Sequence, residues 1–368
     1  MGVTLSQIAR ESGVSIALVS RLLSGDRTLQ VRDETRQRVL ATRERLGWSR
    51  PARRTLAKAC HIAVPINRIF TPESIQYSRQ FPVRILLEGV EAGLRSAGGR
   101  LSLTGFDYST RLDAFRDFCD GPAFCDGLLL LKGLLDEPLA ERLHASRKPR
   151  VSVEYVAESL GIHSVIDHAY GGFLDALDHL VTLGHRRIGY LGPRIHRYGH
   201  FIAAKLDRGL PVEPELDIAY STSMATSADP PWRELSRTAV AEGLARGLTA
   251  TALVCHNDRV AQGALDALQA RSLTAGRDLS IVGYDNIEEH GDPPAKRPQL
   301  TTIDHSQRRV GERCAALLLH QIADGIGPVV HERVPVRFIV RFSTGPALSG
   351  RSARIPGRRR QLQTEKAT

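Results

Sequence analysis

The sequence has few of the features that mark secreted, membrane-bound or disulfide-stabilised proteins. It contains five cysteines in 368 residues, an odd number, scattered and without a C-x-x-C pair. We therefore expect reduced, mostly buried thiols rather than a disulfide framework. No apolar run approaches the 18 residues of a transmembrane helix, which predicts no membrane span. The start also lacks the basic-apolar-small pattern of a signal peptide, which favours a cytoplasmic protein.

Motifs of common enzyme classes are also missing. The sequence has no G-x-S-x-G, no phosphate-binding P-loop and no H-E-x-x-H, so we expect no catalytic residues and no cofactor. Gly98 and Gly99 fit a helix stop better than a phosphate cradle. His196 and His200 have i,i+4 spacing, but Gly199 lies between them and no cysteine is near. The sequence therefore does not favour a metal site.

The positive charge is concentrated at the two ends of the chain. Of the net charge of +10, residues 1–58 carry +7, from twelve Lys/Arg and five Asp/Glu. Residues 349–368 carry +5, so the remaining 290 residues sum to about −2. Basic ends on a nearly neutral body suit the binding of a polyanion. After Thr344 the composition turns to Pro, Gly, Ser and Arg, and residues 345–368 are predicted to form a basic disordered tail.

The stretch from Val3 to Leu23 has the pattern of two short helices joined by a tight turn. Thr4 and Gln7 have the spacing of a capping box at the start of the first helix. Gly13 can adopt the positive φ that ends it, and Ser15 is a good N-cap for the second. Each helix carries an apolar stripe, formed by Leu5, Ile8 and Ala9 in the first and by Leu18, Val19 and Leu22 in the second. This is the pattern of a helix-turn-helix, whose second helix enters the major groove of DNA.

The same stretch closely resembles the start of LacI/GalR (lactose-repressor) family transcription regulators, T-x-x-D-I-A-x-x-A-G-V-S-x-x-T-V-S-R-V-L-N-G. The matching residues are Thr4, Ile8, Ala9, Gly13, Val14, Ser15, Val19, Ser20, Arg21, Leu23 and Gly25. The departures are Gln7 for Asp, Ser12 for Ala, Leu18 for Thr and Ser24 for Asn, and Leu18 lacks a hydroxyl that could bind a phosphate. The alternative, a three-helix bundle with no DNA role, is disfavoured by the basic flanks.

The resemblance implies a repressor that binds a near-palindromic double-stranded DNA operator as a homodimer. An arginine fork can pair with guanine or clamp a phosphate, and apolar side chains can contact a thymine methyl. Arg21 is accordingly expected to be essential for specific binding, and Ile16 and Ala17 to set base preference. The candidate DNA contacts in this stretch are Thr4, Ser15, Ile16, Ala17, Ser20 and Arg21.

The linker from Trp48 to Cys60 resembles the hinge of the same family, although its Pro51–Leu56 spacing is two residues short. So short a helix is unstable alone in water and should order only when two copies pair on DNA. In the family such helices enter the minor groove and insert a leucine between base pairs. We expect Arg53 and Arg54 to neutralise phosphates and Leu56 to be the wedge. Alternatively, Leu56 docks on the core.

The body of the chain alternates apolar strands with amphipathic helices. His61–Pro65 is predicted as a strand, Val83–Ala97 as a helix and Arg100–Phe106 as the next strand. The βαβα order continues and indicates a parallel doubly wound sheet. A second unit of the same kind is predicted from Val165 onwards, with Leu216–Tyr220 as one of its strands.

Five motifs in the body resemble the effector-binding core of the same family, a core shared with periplasmic sugar-binding proteins. They are LVTLGHRRIGYLG (180–192), CHNDRVAQGALDAL (255–268), LSIVGYDN (279–286), QLTTID (299–304) and VRFIVRFST (336–344). The resemblance implies an α/β protein with an all-α helix-turn-helix headpiece (1–48), a hinge (49–60) and two doubly wound parallel-sheet lobes (61–344).

Three crossings should join the two lobes. The resemblance puts 61–160 and 296–326 in an N-lobe and 161–295 and 327–344 in a C-lobe. The crossings would then lie near Tyr155–Ser164, Pro293–Thr302 and Gly325–Val329. The helix Val83–Ala97 is a candidate dimer surface. No C-terminal leucine heptad is visible, so a tetramer is not favoured.

A ligand is expected in the cleft between these lobes, beyond the carboxyl ends of the strands. The candidate effector-binding residues there are Asn67, Asp107, Glu154, Arg197, Asn257 and Asp285. The resemblance places Arg197, Asn257 and Asp285 where effectors are commonly bound, and Glu154 corresponds to a cleft acid. An arginine fork, an amide and a carboxylate supply the donors and acceptors that sugar hydroxyls require. Alternatively, Asn257 only caps the following helix and Asp285 only satisfies loop amides.

Together these features predict a ligand-responsive repressor of carbohydrate-related genes, with a sugar or sugar derivative as effector. Effector in the cleft would shift the population between two arrangements of the lobes and so unpair the hinges. A pure solute-binding protein is a rival, but it predicts a signal peptide and no helix-turn-helix. A sugar-processing enzyme is a weaker rival, which a turnover assay would test.

Overall fold

The computed structural model describes two compact units, Met1–Lys58 and Ala59–Thr368. The residues described are 4–23, 29, 31–46, 60–67, 83–95, 97–106, 125–131, 148–153, 161–195, 197–220, 232–290 and 295–347, with backbone alone for 65–67 and 103–106. Most of the predicted hinge and tail lies outside these ranges. No helix within them is long and apolar enough to cross a membrane.

The first unit is a small helical domain. The helices among its described residues are α1 (Leu5–Ser12), α2 (Ile16–Leu23) and α3 (Asp33–Arg45). Apolar residues from all of these helices form one core, namely Ile8, Ala9, Val19, Leu22 and Val39. The predicted apolar stripes of α1 and α2 therefore meet in one small core, as a helix-turn-helix requires, except that Leu18 is half-buried and not part of it.

The ends of α1 and α2 confirm the capping chemistry predicted for them. The Gln7 N–H donates to Thr4 Oγ1 at 3.2 Å, and Gly13 ends α1 with a φ of 66°. The Leu18 N–H donates to Ser15 Oγ at 3.2 Å at the start of α2. These bonds satisfy N–H groups that have no partner inside their own helix, so the turn between the helices is fixed by the sequence itself.

The second unit contains seven further described α-helices and eleven strands. The helices are α4 (Val83–Arg95), α5 (Ala169–Thr182), α6 (Arg197–Asp207), α7 (Trp232–Ala245), α8 (Asp258–Gln269), α9 (Ile287–His290) and α10 (Gln307–Asp324). The strands are β1 (His61–Asn67), β2 (Arg100–Phe106), β3 (Gly127–Leu130), β4 (Arg150–Val153), β5 (His163–Asp167), β6 (Ile188–Leu191), β7 (Ala252–Cys255), β8 (Ser280–Tyr284), β9 (Thr301–Asp304), β10 (His331–Val334) and β11 (Arg337–Ile339).

These strands form two sheets, one for each lobe. The N-lobe sheet has the order β10-β5-β4-β3-β1-β2 and is parallel throughout. The C-lobe sheet has the order β11-β9-β8-β7-β6, parallel except for the antiparallel edge strand β11. Apolar clusters cover both faces of the C-lobe sheet. The predicted α/β class with two parallel-sheet lobes is confirmed.

The chain passes between the two sheets three times, but the predicted crossing points were wrong. The passages lie between β5 and α5, between β9 and α10, and between β10 and β11. Each crossing was predicted in the polar loop before a strand. In the structure that strand still pairs with the sheet of the preceding lobe, so each crossing comes after it. As a result β5 and β10 belong to the N-lobe sheet and β9 to the C-lobe sheet.

The segment Leu216–Tyr220 is not the regular strand that was predicted. The chain forms a 3₁₀ turn over Pro214–Leu216, and Ile218 makes an isolated bridge to Leu191 beside β6. The Asp217 side chain accepts the Tyr190 N–H at 2.8 Å. A side chain thus takes a backbone donor that a continuous strand would have paired.

Helices α4 and α10 cross at very short range in the N-lobe. A Cβ atom added to Gly311 would lie 2.1 Å from the carbonyl oxygen of Leu86, and one added to Gly89 would lie 2.0 Å from that of Arg308. Ala315 occupies the next turn, close to Gly93. The backbones approach this closely because glycines stand at the crossing. The glycine side of α4 therefore faces α10, and its exposed residues, which include Arg84, Glu91, Ala92 and Arg95, remain available for the predicted dimer contact.

We predict that Gly311→Ala lowers the free energy of unfolding by about 1–3 kcal/mol, because the new methyl group must push the two helices apart. Gly199→Ala is the matched control, since it is also helical and has no atom within 4 Å of an added Cβ. There, higher helix propensity should raise the free energy of unfolding by up to ~1 kcal/mol. Urea unfolding of both variants measures the difference. Equal effects would contradict the close crossing.

Candidate functional site

A buried ion pair lies at the carboxyl ends of the C-lobe strands. Arg197, the first residue of α6, donates from one Nη to the Asp285 carboxylate at 3.0 Å and from the other to the His256 carbonyl oxygen at 2.9 Å. Its guanidinium carbon lies 3.7 Å from the centre of the Tyr284 ring. The Arg197 and Asp285 side chains are only 16% and 3% exposed. The structure thus brings together two of the predicted effector-binding residues.

This ion pair contributes little to the stability of the fold but is well suited to ligand recognition. Burying two charges costs several kcal/mol per ion, and their attraction offsets that cost only when further hydrogen bonds are made. The His256 carbonyl and the Tyr284 ring supply such contacts to the guanidinium. A desolvated fork beside a carboxylate also presents the donors and acceptors that a polyhydroxy ligand can use.

The backbone that carries Asp285 is held in a left-handed conformation. Asp285 has a φ of 110° and Asn286 a φ of 56°, and neither is glycine. Such conformations cost on the order of 1–3 kcal/mol each and persist only when neighbouring contacts enforce them. The Asp285 N–H donates to the Ile303 carbonyl at 2.8 Å, which ties the turn to β9. The strain coincides with the point where the carboxylate meets Arg197.

A second carboxyl group, that of Asp258, lies beneath this turn. It is fully buried, accepts the Ile287 N–H at 2.9 Å and is 2.7 Å from the Thr302 hydroxyl. Burial raises the pKa of Asp258 to about 8, and the nearby Asp285 carboxylate adds to the rise. Asp258 is therefore largely a neutral acid at pH 7.

The other side of the turn is fixed by a network around Asp304. The Asp304 carboxylate accepts from Asn286 at 3.2 Å and from Arg337 at 2.8 Å, with His290 also at 3.2 Å. Burial favours the neutral acid, but these bonds outweigh it and hold the pKa of Asp304 well below its usual range. Arg341 donates to Asn286 Oδ1 at 2.7 Å. The side chain of Asn286 is thereby fixed from two directions.

Residues of the N-lobe approach the same site. The Tyr284 hydroxyl donates to Asp167, the last residue of β5, and burial raises the pKa of that tyrosine well above its usual range. His305, just after β9, has one ring nitrogen 4.0 Å from Asp167 and the other 3.7 Å from Asp285. The C-lobe ion pair and the end of an N-lobe strand are thus connected through two side chains.

Aromatic side chains form one wall beside the ion pair. The Trp232 and His256 rings stack at 5.6 Å with an interplanar angle of 26°. The Tyr190 hydroxyl lies 2.9 Å from His256 Nδ1. Sequence reasoning did not select these residues or Tyr284, although His256 and Tyr284 stand inside the motifs CHND and GYDN. Their position directly before Asn257 and Asp285 was the available signal.

The remaining predicted effector residues are only partly described. The Asn257 side chain accepts the Val260 N–H at 2.9 Å, so its oxygen caps α8, as the alternative proposed. Asn67 ends β1, but only its backbone is described. Asp107 and Glu154 lie outside the described residues.

The predicted DNA-contacting residues lie at the start and on one side of the helix-turn-helix. Thr4, Ser15 and Ala17 are exposed, as is Ile16 at 45%. Ser20 and Arg21 are half-buried. An exposed isoleucine at the first position of α2 fits an apolar contact with DNA better than a core role. Arg53, Arg54 and Leu56 lie outside the described residues.

Two other kinds of site are less well supported. Among the described residues, no group of three or more His, Cys, Asp or Glu side chains could hold a metal ion. A cavity of about 710 Å³ lies between the N-lobe helices and α9, lined mainly by charged residues. Its charges pair with one another, as in Arg308–Glu88 at 3.0 Å and Arg337–Asp304 at 2.8 Å. None of the predicted effector residues lines it.

Comparison with known families matches both parts of the chain. Residues 4–50 match the family "Bacterial regulatory proteins, lacI family". Residues 177–344 match the "Periplasmic binding protein-like domain". The first match covers the helix-turn-helix, and the second covers the ion pair and its supporting turn.

Whole-chain relatives agree with these matches. The HTH-type transcriptional repressor PurR of Vibrio cholerae is 26% identical over 332 residues, covering 87% of this chain and 92% of that protein. A LacI family regulator from Enterococcus faecium with bound ribose has a TM-score of 0.59 and 25% identity, covering 78% of this chain and 99% of that one.

The complex of the transcriptional regulator CelR with cellobiose shows the same fold. Its TM-score is 0.62 at 24% identity, and the match covers 93% of this chain and 99% of that one. The family matches agree with the observed helix-turn-helix and with the two parallel-sheet lobes. The chain belongs to the LacI family of bacterial regulatory proteins and is a DNA-binding transcription regulator with a periplasmic-binding-protein-like ligand domain.

Proposed function

We propose that this regulator is a homodimeric repressor of carbohydrate-related genes whose effector is a sugar or sugar derivative bound between the two lobes. The observation that carries the proposal is the buried Arg197–Asp285 pair at the carboxyl ends of the C-lobe strands, opposite Asp167 of the N-lobe. The bound ribose and cellobiose of the two structural relatives support a saccharide. The proposal assigns no reaction to the chain.

A saccharide can replace the contacts that the pair now makes with itself. Vicinal hydroxyl groups accept from the Arg197 guanidinium and donate to the Asp285 carboxylate, so neither charge is left unsatisfied. Trp232 and His256 are buried and stack on each other, so they support the His256 carbonyl that binds Arg197 from behind. The exchange of one set of hydrogen bonds for another makes binding selective, since a ligand without hydroxyls would leave both charges unpaired.

Ligand binding changes the affinity for DNA by changing the arrangement of the two lobes. Asp285 and Arg197 belong to the C-lobe, whereas Asp167 ends a strand of the N-lobe. A ligand that bridges them binds one lobe arrangement more tightly and shifts the population towards it. A change from 1:99 to 99:1 requires about 5.5 kcal/mol of differential binding, which several charge-assisted hydrogen bonds can supply.

On DNA, a two-fold dimer presents two recognition helices, so the operator half-sites mirror each other. The major groove is then contacted by five residues of each copy, namely Ser15, Ile16, Ala17, Ser20 and Arg21. Thr4 contacts the DNA backbone. Arg53, Arg54 and the wedge Leu56 remain predictions for the minor groove, as do Asn67, Asp107, Glu154 and Asn257 for the cleft.

We predict that Arg21→Ala lowers affinity for an operator selected from random DNA by about 1–3 kcal/mol, because a bidentate base contact is lost. Arg246→Ala is the control, since Arg246 directly follows α7 and pairs with Glu242 of that helix. Fluorescence anisotropy at one fixed salt concentration measures both variants. Arg21→Ala with wild-type affinity would rule out this contact.

We further predict that Arg197→Ala and Asp285→Ala abolish the saccharide response but leave operator affinity intact. D-ribose, cellobiose and a panel of other saccharides are first screened with the wild type, where a binder at 100 times its Kd adds about 2.7 kcal/mol of stability. Arg208→Ala, which removes an exposed pair with Asp178, is the control. If both cleft variants respond at wild-type saccharide concentrations, the site is elsewhere.

A further inference from the structure

We propose that Asp258 is the positioning residue of the effector site: its buried carboxyl group holds the Asp285–Asn286 turn in the conformation that aims the Asp285 carboxylate at Arg197. The inference rests on the proposed function in one respect, the binding of effector by Arg197 and Asp285. Asp258 itself touches neither DNA nor, on this account, the effector. It acts through the turn.

The position of Asp258 joins three segments that are distant in sequence. It is the first residue of α8, directly after His256 and Asn257. One carboxyl oxygen accepts the Ile287 N–H at 2.9 Å, immediately after the strained turn, and the other is 2.7 Å from the Thr302 hydroxyl on β9. A single side chain thereby fixes the end of the turn relative to the strands on both sides.

The surroundings of Asp258 are shaped for this contact. A Cβ atom added to Gly283 would lie 1.9 Å from an Asp258 carboxyl oxygen. Only glycine at this point of β8 lets the carboxyl group lie flat against the strand that leads into the turn. The side chain is fully buried, so it has one fixed environment rather than several solvated ones.

The turn needs support on both sides because its backbone is strained. Asp285 and Asn286 both have positive φ, and relaxation of either would rotate the Asp285 carboxylate away from Arg197. Asp304 and Arg341 restrain the side chain of Asn286. Asp258 is the contact that restrains the backbone after it, at Ile287. Loss of that contact should therefore weaken the Arg197–Asp285 interaction without touching either residue.

The protonation state of Asp258 suits this role. Cys255 of β7, Asp285 of the turn and Glu288 of α9 face it, and none of them favours its ionised form. One carboxyl oxygen accepts from the Thr302 hydroxyl and the other accepts the Ile287 N–H. Asparagine can keep both contacts, because its Oδ1 can accept the Ile287 N–H while its Nδ2 donates to the Thr302 hydroxyl oxygen. Asp258→Asn should therefore preserve the turn, whereas Asp258→Ala should not.

A double-mutant cycle between Arg197→Met and Asp285→Asn tests the proposal. The coupling between the two sites is measured by urea unfolding in the wild-type background and in the Asp258→Asn, Asp258→Ala and Thr302→Val backgrounds. We expect a coupling of about tenfold in the unfolding equilibrium constant for the wild type. Asp258→Asn should retain it within about twofold, while Asp258→Ala and Thr302→Val reduce it to below about threefold.

The outcomes separate this proposal from the proposed function. No saccharide enters the cycle, so an incorrect effector class leaves its result unchanged. Wild-type coupling in Asp258→Ala would overturn the positioning role. If Asp258→Ala does not fold, Thr302→Val decides, since it removes one partner of Asp258 with little change in volume. Wild-type coupling there would also overturn the proposal.

The pH dependence of stability gives a second readout that a merely space-filling role would not produce. The pKa of Asp258 is raised from 3.8 to about 8 in the folded chain, so the folded state keeps a proton that the unfolded state releases. Its contribution to stability is complete below pH 4 and is lost as the pH rises to about 8. The wild-type unfolding midpoint should fall more steeply from pH 5 to 8 than that of Asp258→Asn. Equal slopes would contradict a protonated Asp258.

Discussion

The ion pair between Arg197 and Asp285 is the contact around which the polar interior of the second unit is arranged. The two side chains come from different α/β connections of the C-lobe, and both are largely buried. An unpaired charge in this position would be strongly destabilising, whereas the intact pair contributes little net stability. Two neighbouring groups help to satisfy the guanidinium, namely the His256 carbonyl and the Tyr284 ring beneath it.

The geometry of this pair depends in turn on a strained backbone. Two consecutive residues with positive φ are retained because Asp258 restrains the backbone on one side and the Asp304 network restrains Asn286 on the other. The same site includes Asp167 from the other lobe. A site that is rigid within one lobe and shared with the next is suited to convert ligand binding into a change of lobe arrangement.

The sequence was most informative where structure depends on local chemistry. Thr4, Gly13 and Ser15 determine the ends of the first two helices, because capping and positive φ act within a few residues. The alternation of strands and helices was sufficient for the fold class. The crossings between lobes could not be predicted in this way, since the partner of β5, β9 or β10 is chosen by pairing between distant segments. The strand predicted over Leu216–Tyr220 does not form, because the Asp217 carboxylate accepts the Tyr190 N–H that a strand would have bound.

The candidate site shows the same division. The family resemblance identified Arg197 and Asp285, and the structure places an Arg197 Nη atom 3.0 Å from the Asp285 carboxylate. Asn257 is a cap for α8, which the sequence had left open. The roles of Tyr284, His305 and Asp258 depend on contacts between segments that are distant in sequence, including contacts from the C-lobe to Asp167 of the N-lobe. Their residue types gave no sign of these contacts, because a buried aspartate after an asparagine cap is also typical of an ordinary helix start.

The most direct test of effector binding at the ion pair is to follow the Arg197 guanidinium by side-chain NMR while a saccharide that changes operator affinity is added. Arg197→Lys identifies the resonance. If the saccharide binds at the ion pair, the Arg197 Nη–H signals change in proportion to the fraction of protein bound, as the guanidinium exchanges Asp285 for the saccharide. A saccharide that alters operator affinity while the Arg197 signals stay unchanged would contradict it.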